Sequence, residues 1–280
     1  MGKSAPPQPE VFTVRTFYQF QKLPADRLKP LQELIVSAGQ EHSILGSILL
    51  AEEGCNATIS GSASNVEAFF KVIEQEFPGI LFQDSLSESN PFQHWKVPIK
   101  KQIVAALHPE RTPETNFQGQ MTPQRWDEIR AQVRNGEAQM IDVRNRYEVS
   151  LGTFPEAIDP DTTTFKEFSH YLDREVGRSL DPDKPTAIFC TGGIRCEKAR
   201  VDLEQRGFTQ VLQLTGGIIG YLSTPREAGF EGECFVFDDR VALDAELRPT
   251  QNYTICKACG GPAPTGGGGH DCNNGRRTPE

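Results

Sequence analysis

The chain has 280 residues, 37% of them hydrophobic, and its 29 basic and 38 acidic side chains give a net charge of −9. That length accommodates two domains with separate cores, and the acidic balance argues against non-specific nucleic-acid binding while leaving room for a local basic patch. No apolar run is long enough to cross a bilayer and the first residues carry no signal-peptide core, so a cytoplasmic protein without membrane contact is expected.

Residues 11–20 are dense in β-branched and aromatic side chains and read as a strand. Leu28, Leu31, Leu34 and Ile35 then recur at helical spacing, with Gly39 as the stop. Two strand-like runs follow, 44–51 and 56–60, joined across Glu52, Glu53 and Gly54. Val66, Phe69, Phe70 and Ile73 mark a second helix behind Ser64 as its cap, and the short apolar segment 80–82 reads as the closing strand. The order β-α-β-β-α-β is that of a split βαβ, ferredoxin-like domain over residues 11–107. A further strand from Trp95 to Leu107 extends it. There Phe92, Trp95, Lys96, Lys100 and Lys101 interleave aromatic and basic groups, and alone they read as an edge strand guarded by lysines and Pro98.

Residues 108–121 are polar and proline-containing, the composition of a surface linker. Over 122–235 the pattern alternates: helix 123–134, strand 138–143, helix 164–176, strand 186–190, helix 196–206, strand 210–214. Such alternation predicts an α/β domain with a parallel sheet, whose reactive groups belong at the carboxyl ends of strands. Asp142 and Cys190 stand at such ends.

The remainder, 236–280, is a short Cys/Gly-rich tail. Cys256, Cys259, His270 and Cys272 are four ligands suited to tetrahedral zinc, but the glycine-rich spacer between them is costly to order. A mobile tail with free thiols is the expectation and zinc the alternative. Seven cysteines, odd in number and scattered, indicate no disulfide framework and suit a reducing compartment.

The segment most charged with chemistry is Cys190-Thr191-Gly192-Gly193-Ile194-Arg195-Cys196, where an apolar strand enters a double glycine and then a helix. The glycines let successive amides turn toward the sulfur, the helix adds positive potential, and Arg195 is available to stabilise a thiolate or hold an anion. Cysteine-dependent phosphatases place an arginine sixth after the nucleophile; here Cys196 is sixth and the arginine precedes it, which argues against that chemistry. Cys196 reads equally as a resolving thiol or as a small residue in a first helical turn. Asp142 and Arg144 read as a structural ion pair, with Arg144 bracing the loop.

The tight loop resembles that of the rhodanese superfamily, whose cysteine cycles through a persulfide, and Asp142-Val-Arg144 and Gly216-Gly217 are similar to strand ends of that domain. More of the chain, roughly 12–260, resembles the rhodanese-domain tRNA uridine hydroxylases. The match lies in Leu50-Ala-Glu-Glu53-Gly54-Cys55-Asn56-Ala57, in Ser64-Asn-Val-Glu67, from Ile141 to Glu148, from Cys190 to Ala199, and in Cys256-x-x-Cys259-Gly260. This resemblance implies a ferredoxin-like domain followed by a rhodanese-like one, and oxygen-dependent conversion of the tRNA wobble uridine to 5-hydroxyuridine. It implies Cys190 as the active cysteine, molecular oxygen as co-substrate, a small-molecule or thiol reductant, and the tRNA anticodon arm as partner. With no two-histidine facial triad and no dinucleotide glycine fingerprint, no organic cofactor is expected. Trp95, Lys96, Lys100 and Lys101 then become the candidate grip on the anticodon arm. Two alternatives stay open: a sulfurtransferase working through a Cys190 persulfide, and a non-catalytic tRNA-binding module.

Overall fold

Side chains alternate along β1 (Phe12–Phe20), and this divides the N-terminal domain into two faces. Phe17 points into a core beneath two helices, whereas Tyr18 and Phe20 point toward the second domain. The computed structural model describes residues 11–113, 117–225, 229–266 and 272. After β1 come α1 (Ala25–Glu41), β2 (Leu45–Ala51), β3 (Gly54–Gly61), α2 (Ala63–Glu76), β4 (Phe82–Ser87) and β5 (Trp95–Lys96). The sheet order is β4-β1-β3-β2-β5, antiparallel except where β5 joins β2. Helices α1 and α2 cover one face, burying Leu31, Ile35, Val66, Phe69 and Ile73 against Phe17, Ile48 and Ile59. Each such side chain contributes roughly 1.5–3 kcal/mol of transfer free energy. This is the ferredoxin-like arrangement read from the sequence.

Three local expectations are corrected. The cap of α2 is Ser62 and not Ser64: its Oγ accepts the Asn65 amide at 3.3 Å from an extended backbone, while Ser64 lies inside the helix. The closing strand begins at Phe82 instead of residue 80, and its polar centre is held by Arg15, whose guanidinium grips Asp84 at 2.8 and 2.7 Å. The strand expected from Trp95 to Leu107 ends at Lys96, with one further bridge between Leu50 and Ile99. Pro98 has no N–H to continue the ladder, and beyond it the chain leaves the edge to bury Ile103 and Val104 against the second domain.

The second domain contains β6 (Gln120–Met121), α3 (Pro123–Arg134), β7 (Gln139–Asp142), α4 (Arg146–Val149), β8 (Gly152–Thr153), α5 (Glu167–Glu175), β9 (Thr186–Phe189), α6 (Ile194–Glu204), β10 (Val211–Leu214) and α7 (Gly217–Leu222). Its parallel sheet runs β6-β10-β9-β7, and β9 is buried along its whole length because helices pack on both faces. Met121 is buried within this sheet, so the residues read as the end of a linker belong to the domain. Helices α4 and α7 were not read from the sequence because one or two turns carry too little periodicity.

The chain continues through β11 (Glu231–Gly232), which pairs with β8, then β12 (Cys234–Phe235) and β13 (Ala242–Leu243), and a last hairpin of β14 (Tyr253–Ile255) and β15 (Pro262–Pro264). Phe235, Val236, Val241 and Leu243 are buried, so the segment assigned to a mobile tail begins as part of the packed domain. The two domains share a cluster in which Phe20, Ala51, Ile103 and Val104 meet Phe165, Phe168 and Leu203. No helix among the described residues is long and apolar enough to cross a membrane.

Candidate active site

Cys190 directly follows β9, and the loop after it closes sooner than the sequence suggests. Helix α6 starts at Ile194, two residues earlier than expected, because Gly193 takes the left-handed conformation at φ 103° and serves as its N-cap. A β-carbon there would stand 2.9 Å from the Tyr18 hydroxyl. The turn brings the Gly193 amide to 3.1 Å from the Cys190 sulfur. Burial opposes ionisation of Cys190, yet the hydrogen bond from Cys196, the Arg195 charge and the Gly193 and Arg195 amides bring its thiol down to about 6. Burial and donation to Cys190 hold Cys196 well above the ordinary thiol range, so it is the protonated member of the pair.

Arg195 acts on the Cys190 thiol as a fixed charge, but its guanidinium is already engaged and is not open to hold an anion. Its guanidinium binds both oxygens of Glu148 at 2.5 and 2.7 Å, with both side chains buried. Opposite charge thereby compensates the only guanidinium of the loop, and what reaches Cys190 is a field reduced by Glu148. Burial pushes the Glu148 carboxyl up, but Arg195 and Arg144 outweigh this and lower it below the usual value. The carboxylate also accepts the Thr191 hydroxyl at 3.2 Å and the Asn145 amide at 3.1 Å, the latter closing a capping box on α4.

Asp142 and Arg144 form a fully buried bidentate pair, with Arg144 Nη2 at 2.6 Å from the Asp142 carboxylate. Arg144 donates further to the Gly152 carbonyl at 2.6 Å, and Thr153 donates to Asp142 at 2.8 Å. The pair therefore ties β7 to β8; its hydrogen bonds do not reach the 190–195 loop that Arg144 was expected to brace.

Above Cys190 lies a cavity of about 300 Å³ enclosed by four separate parts of the chain. Thr16, Tyr18, Asn56 and Thr58 project from the outer face of the N-terminal sheet, Lys100 and Gln102 come from the crossing segment, and Phe237 and Arg240 from the chain after β12. Cys190, Thr191, Gly192, Ile194 and Arg195 form the remaining wall. Cys190 itself is fully buried and borders this cavity.

The predicted RNA-contacting residues separate into two groups. Lys100 is exposed and lines the cavity, and Lys96 and Lys101 are exposed outside it. Trp95 is structural: its ring meets Phe69 edge-on at 5.6 Å, its indole N–H donates to the Val36 carbonyl at 3.2 Å, and it covers Gly39. That ring is not free to stack on a base.

Residues 12–103 match the UPF0176 acylphosphatase like domain and residues 125–224 the rhodanese-like domain. A protein of Picosynechococcus sp. named tRNA uridine(34) hydroxylase is 40% identical over 90% of this chain and 83% of its own length. Proteins of the same name from Synechocystis sp. and Bdellovibrio bacteriovorus are 38% and 37% identical, over 91% and 90% of this chain and 90% and 71% of their own lengths. The chain belongs to the tRNA uridine(34) hydroxylase family.

Several residues of this hydroxylase-family chain acquire roles that the sequence reading did not assign. Glu53, in the turn between β2 and β3, pairs with Lys198 at 2.6 Å and accepts the Ile103 amide at 2.8 Å. Tyr18 donates to Glu197 at 3.1 Å, and Gln213 donates to the same carboxylate at 2.9 Å. Burial raises the Glu197 carboxyl despite these bonds. Both pairs dock the N-terminal sheet onto α6, the helix that starts in the cysteine loop. The motifs Glu53-Gly54 and Cys196-Glu197-Lys198 were visible in the sequence, and only their mutual contact was not. Glu148 had a local signal, the Asn145-x-x-Glu148 capping pattern.

Proposed function

We propose that this chain hydroxylates C5 of the wobble uridine of tRNA, with Cys190 as the nucleophile and molecular oxygen as co-substrate. The single observation that supports it most is the cavity over Cys190, walled on one side by the cysteine loop and on the other by the N-terminal sheet that a bare sulfur-transfer domain lacks. Its volume of about 300 Å³ lies at the lower end of ordinary small-molecule sites, the scale of one extruded nucleobase.

In this mechanism the Cys190 thiolate adds to C6 of the uracil ring, and the electron pair moves onto C5 and the C4 carbonyl. The resulting enolate reacts with oxygen to give a hydroperoxide at C5. Two thiols of the reductant supply two electrons and two protons, cleaving the O–O bond, releasing water and becoming a disulfide. Loss of the C5 proton then expels the Cys190 thiolate and restores the ring double bond. The balance is uridine, oxygen and two thiols in; 5-hydroxyuridine, water and one disulfide out. The Cys196 thiol, hydrogen-bonded to Cys190, favours the thiolate at the start and as leaving group. In the resolving role, it condenses with a Cys190 sulfenate to a disulfide and water, and two reductant thiols reopen that disulfide as they become one of their own. A reducing cytoplasm, which keeps Cys190 and Cys196 as thiols, suits this chemistry.

The test is nucleoside mass spectrometry of tRNA from a gene-deletion strain carrying the wild-type or the Cys190→Ala chain. Restoration of 5-hydroxyuridine by the wild type only is expected. Restoration by Cys190→Ala eliminates the nucleophile, and persulfide transfer with unchanged tRNA favours the sulfurtransferase.

A further inference from the structure

Of the five cysteines that the catalytic reading leaves unused, three lie in the C-terminal tail. Cys256 and Cys259 lie in the turn between β14 and β15, and Cys272 returns to them from beyond the glycine run. The Cys256 amide donates to the Gly261 carbonyl at 2.8 Å, and the Gly260 amide donates back to the Cys256 carbonyl at 2.8 Å. Gly260 permits this return with φ 73°. Within the turn, amides of Ala258 and Cys259 point at the Cys256 sulfur. The arrangement presents two sulfurs on one side of a tight hairpin with donors already aimed to favour negative charge.

All three sulfurs lie within 4.8 Å of one another, and those of Cys256 and Cys272 are 3.9 Å apart. A tetrahedral zinc ion with Zn–S bonds of ~2.3 Å sets its sulfurs roughly 3.8 Å apart. A disulfide instead requires ~2.05 Å and joins only two of the three. The hairpin also needs a staple, since two three-residue strands with an exposed Thr254 bury little apolar surface of their own.

We propose that Cys256, Cys259 and Cys272 bind one zinc ion as thiolates and so close the C-terminal hairpin. Binding exchanges the thiol protons for the metal and involves no redox step. His270, the fourth ligand suggested by the sequence, lies outside the described residues, and three sulfurs define the site. The clasp has a structural consequence. Tyr253 and Ile255 of the hairpin pack against the cluster of Tyr147, Phe235 and Val241, and Tyr147 adjoins Glu148, the partner of Arg195. Through this packing the clasp supports α4, the helix that carries Tyr147 and Glu148.

The experiment is elemental analysis of the full chain, produced in zinc-replete cells without a metal-binding tag, alongside Cys259→Ser and Cys190→Ala. Expected is about one zinc per wild-type and per Cys190→Ala chain, and a loss of most of it in Cys259→Ser. Replacement by cobalt(II) should give a thiolate-to-metal absorption band in the first two proteins and none in the third. A wild-type chain that neither retains nor takes up zinc, with all three tail thiols open to alkylation, overturns the proposal. So does an intact Cys256 to Cys272 disulfide found by mass spectrometry. Neither readout depends on hydroxylation, so failure of the catalytic reading leaves this test unchanged.

Discussion

The Arg195 guanidinium and the Glu148 carboxylate meet through two hydrogen bonds in a buried setting, 47 residues apart in the chain. The positive charge of the cysteine loop is therefore a braced and partly neutralised one. Replacing Glu148 by Gln keeps the shape and removes the counter-charge. Leaving Arg195 uncompensated is expected to cost about 3–5 kcal/mol in urea denaturation. In the fraction that folds, the Cys190 midpoint should move below about 6, because the unmasked cation stabilises the thiolate more strongly.

Cys190 itself should react as a thiolate at neutral pH. With a thiol lowered to about 6, alkylation by iodoacetamide is expected to plateau above that pH and to fall about tenfold per unit below it. The sign is fixed by which form attacks, since acid protonates the nucleophile. A midpoint in the ordinary thiol range, followed by peptide mass spectrometry at Cys190, would contradict the amide and Arg195 assignments.

Gly193→Ala tests the turn. Its left-handed φ and the nearby Tyr18 hydroxyl make a methyl group costly, by about 1–3 kcal/mol. As the Gly193 amide shifts from the sulfur, the Cys190 midpoint should rise toward that of a free thiol, read by the same alkylation profile.

Domain docking rests on a buried charge pair. Lys198→Met alone leaves Glu53 without its partner and should destabilise by about 3–5 kcal/mol. The double variant Glu53→Gln/Lys198→Met should recover much of that loss. A purely additive cycle by thermal or urea unfolding would show that the pair contributes no coupling.

Lys100→Glu/Lys101→Glu is expected to weaken tRNA binding on the order of tenfold at moderate salt, with a shallower salt dependence. Trp95→Ala should behave differently, lowering stability by roughly 3 kcal/mol through the lost packing on Phe69 and Gly39. Filter-binding and unfolding measurements on both proteins separate the two effects.

The chain's order of elements and its cysteine loop were legible without coordinates because both are local. Apolar periodicity declared the ferredoxin-like and parallel α/β halves, and a strand, two glycines and a helix within a few residues suffice to turn amides toward one sulfur. What surrounds that sulfur was decided by tertiary structure. Glu148 meets Arg195, Tyr18 meets Glu197 and Glu53 meets Lys198 across 47, 179 and 145 residues. No period or propensity encodes such pairings, since each forms only where two separately folded surfaces bury opposite charges or a donor and an acceptor together. The same packing seated Trp95 against the first core and enclosed Cys190 beneath a second domain, turning a reactive loop into the floor of a cavity.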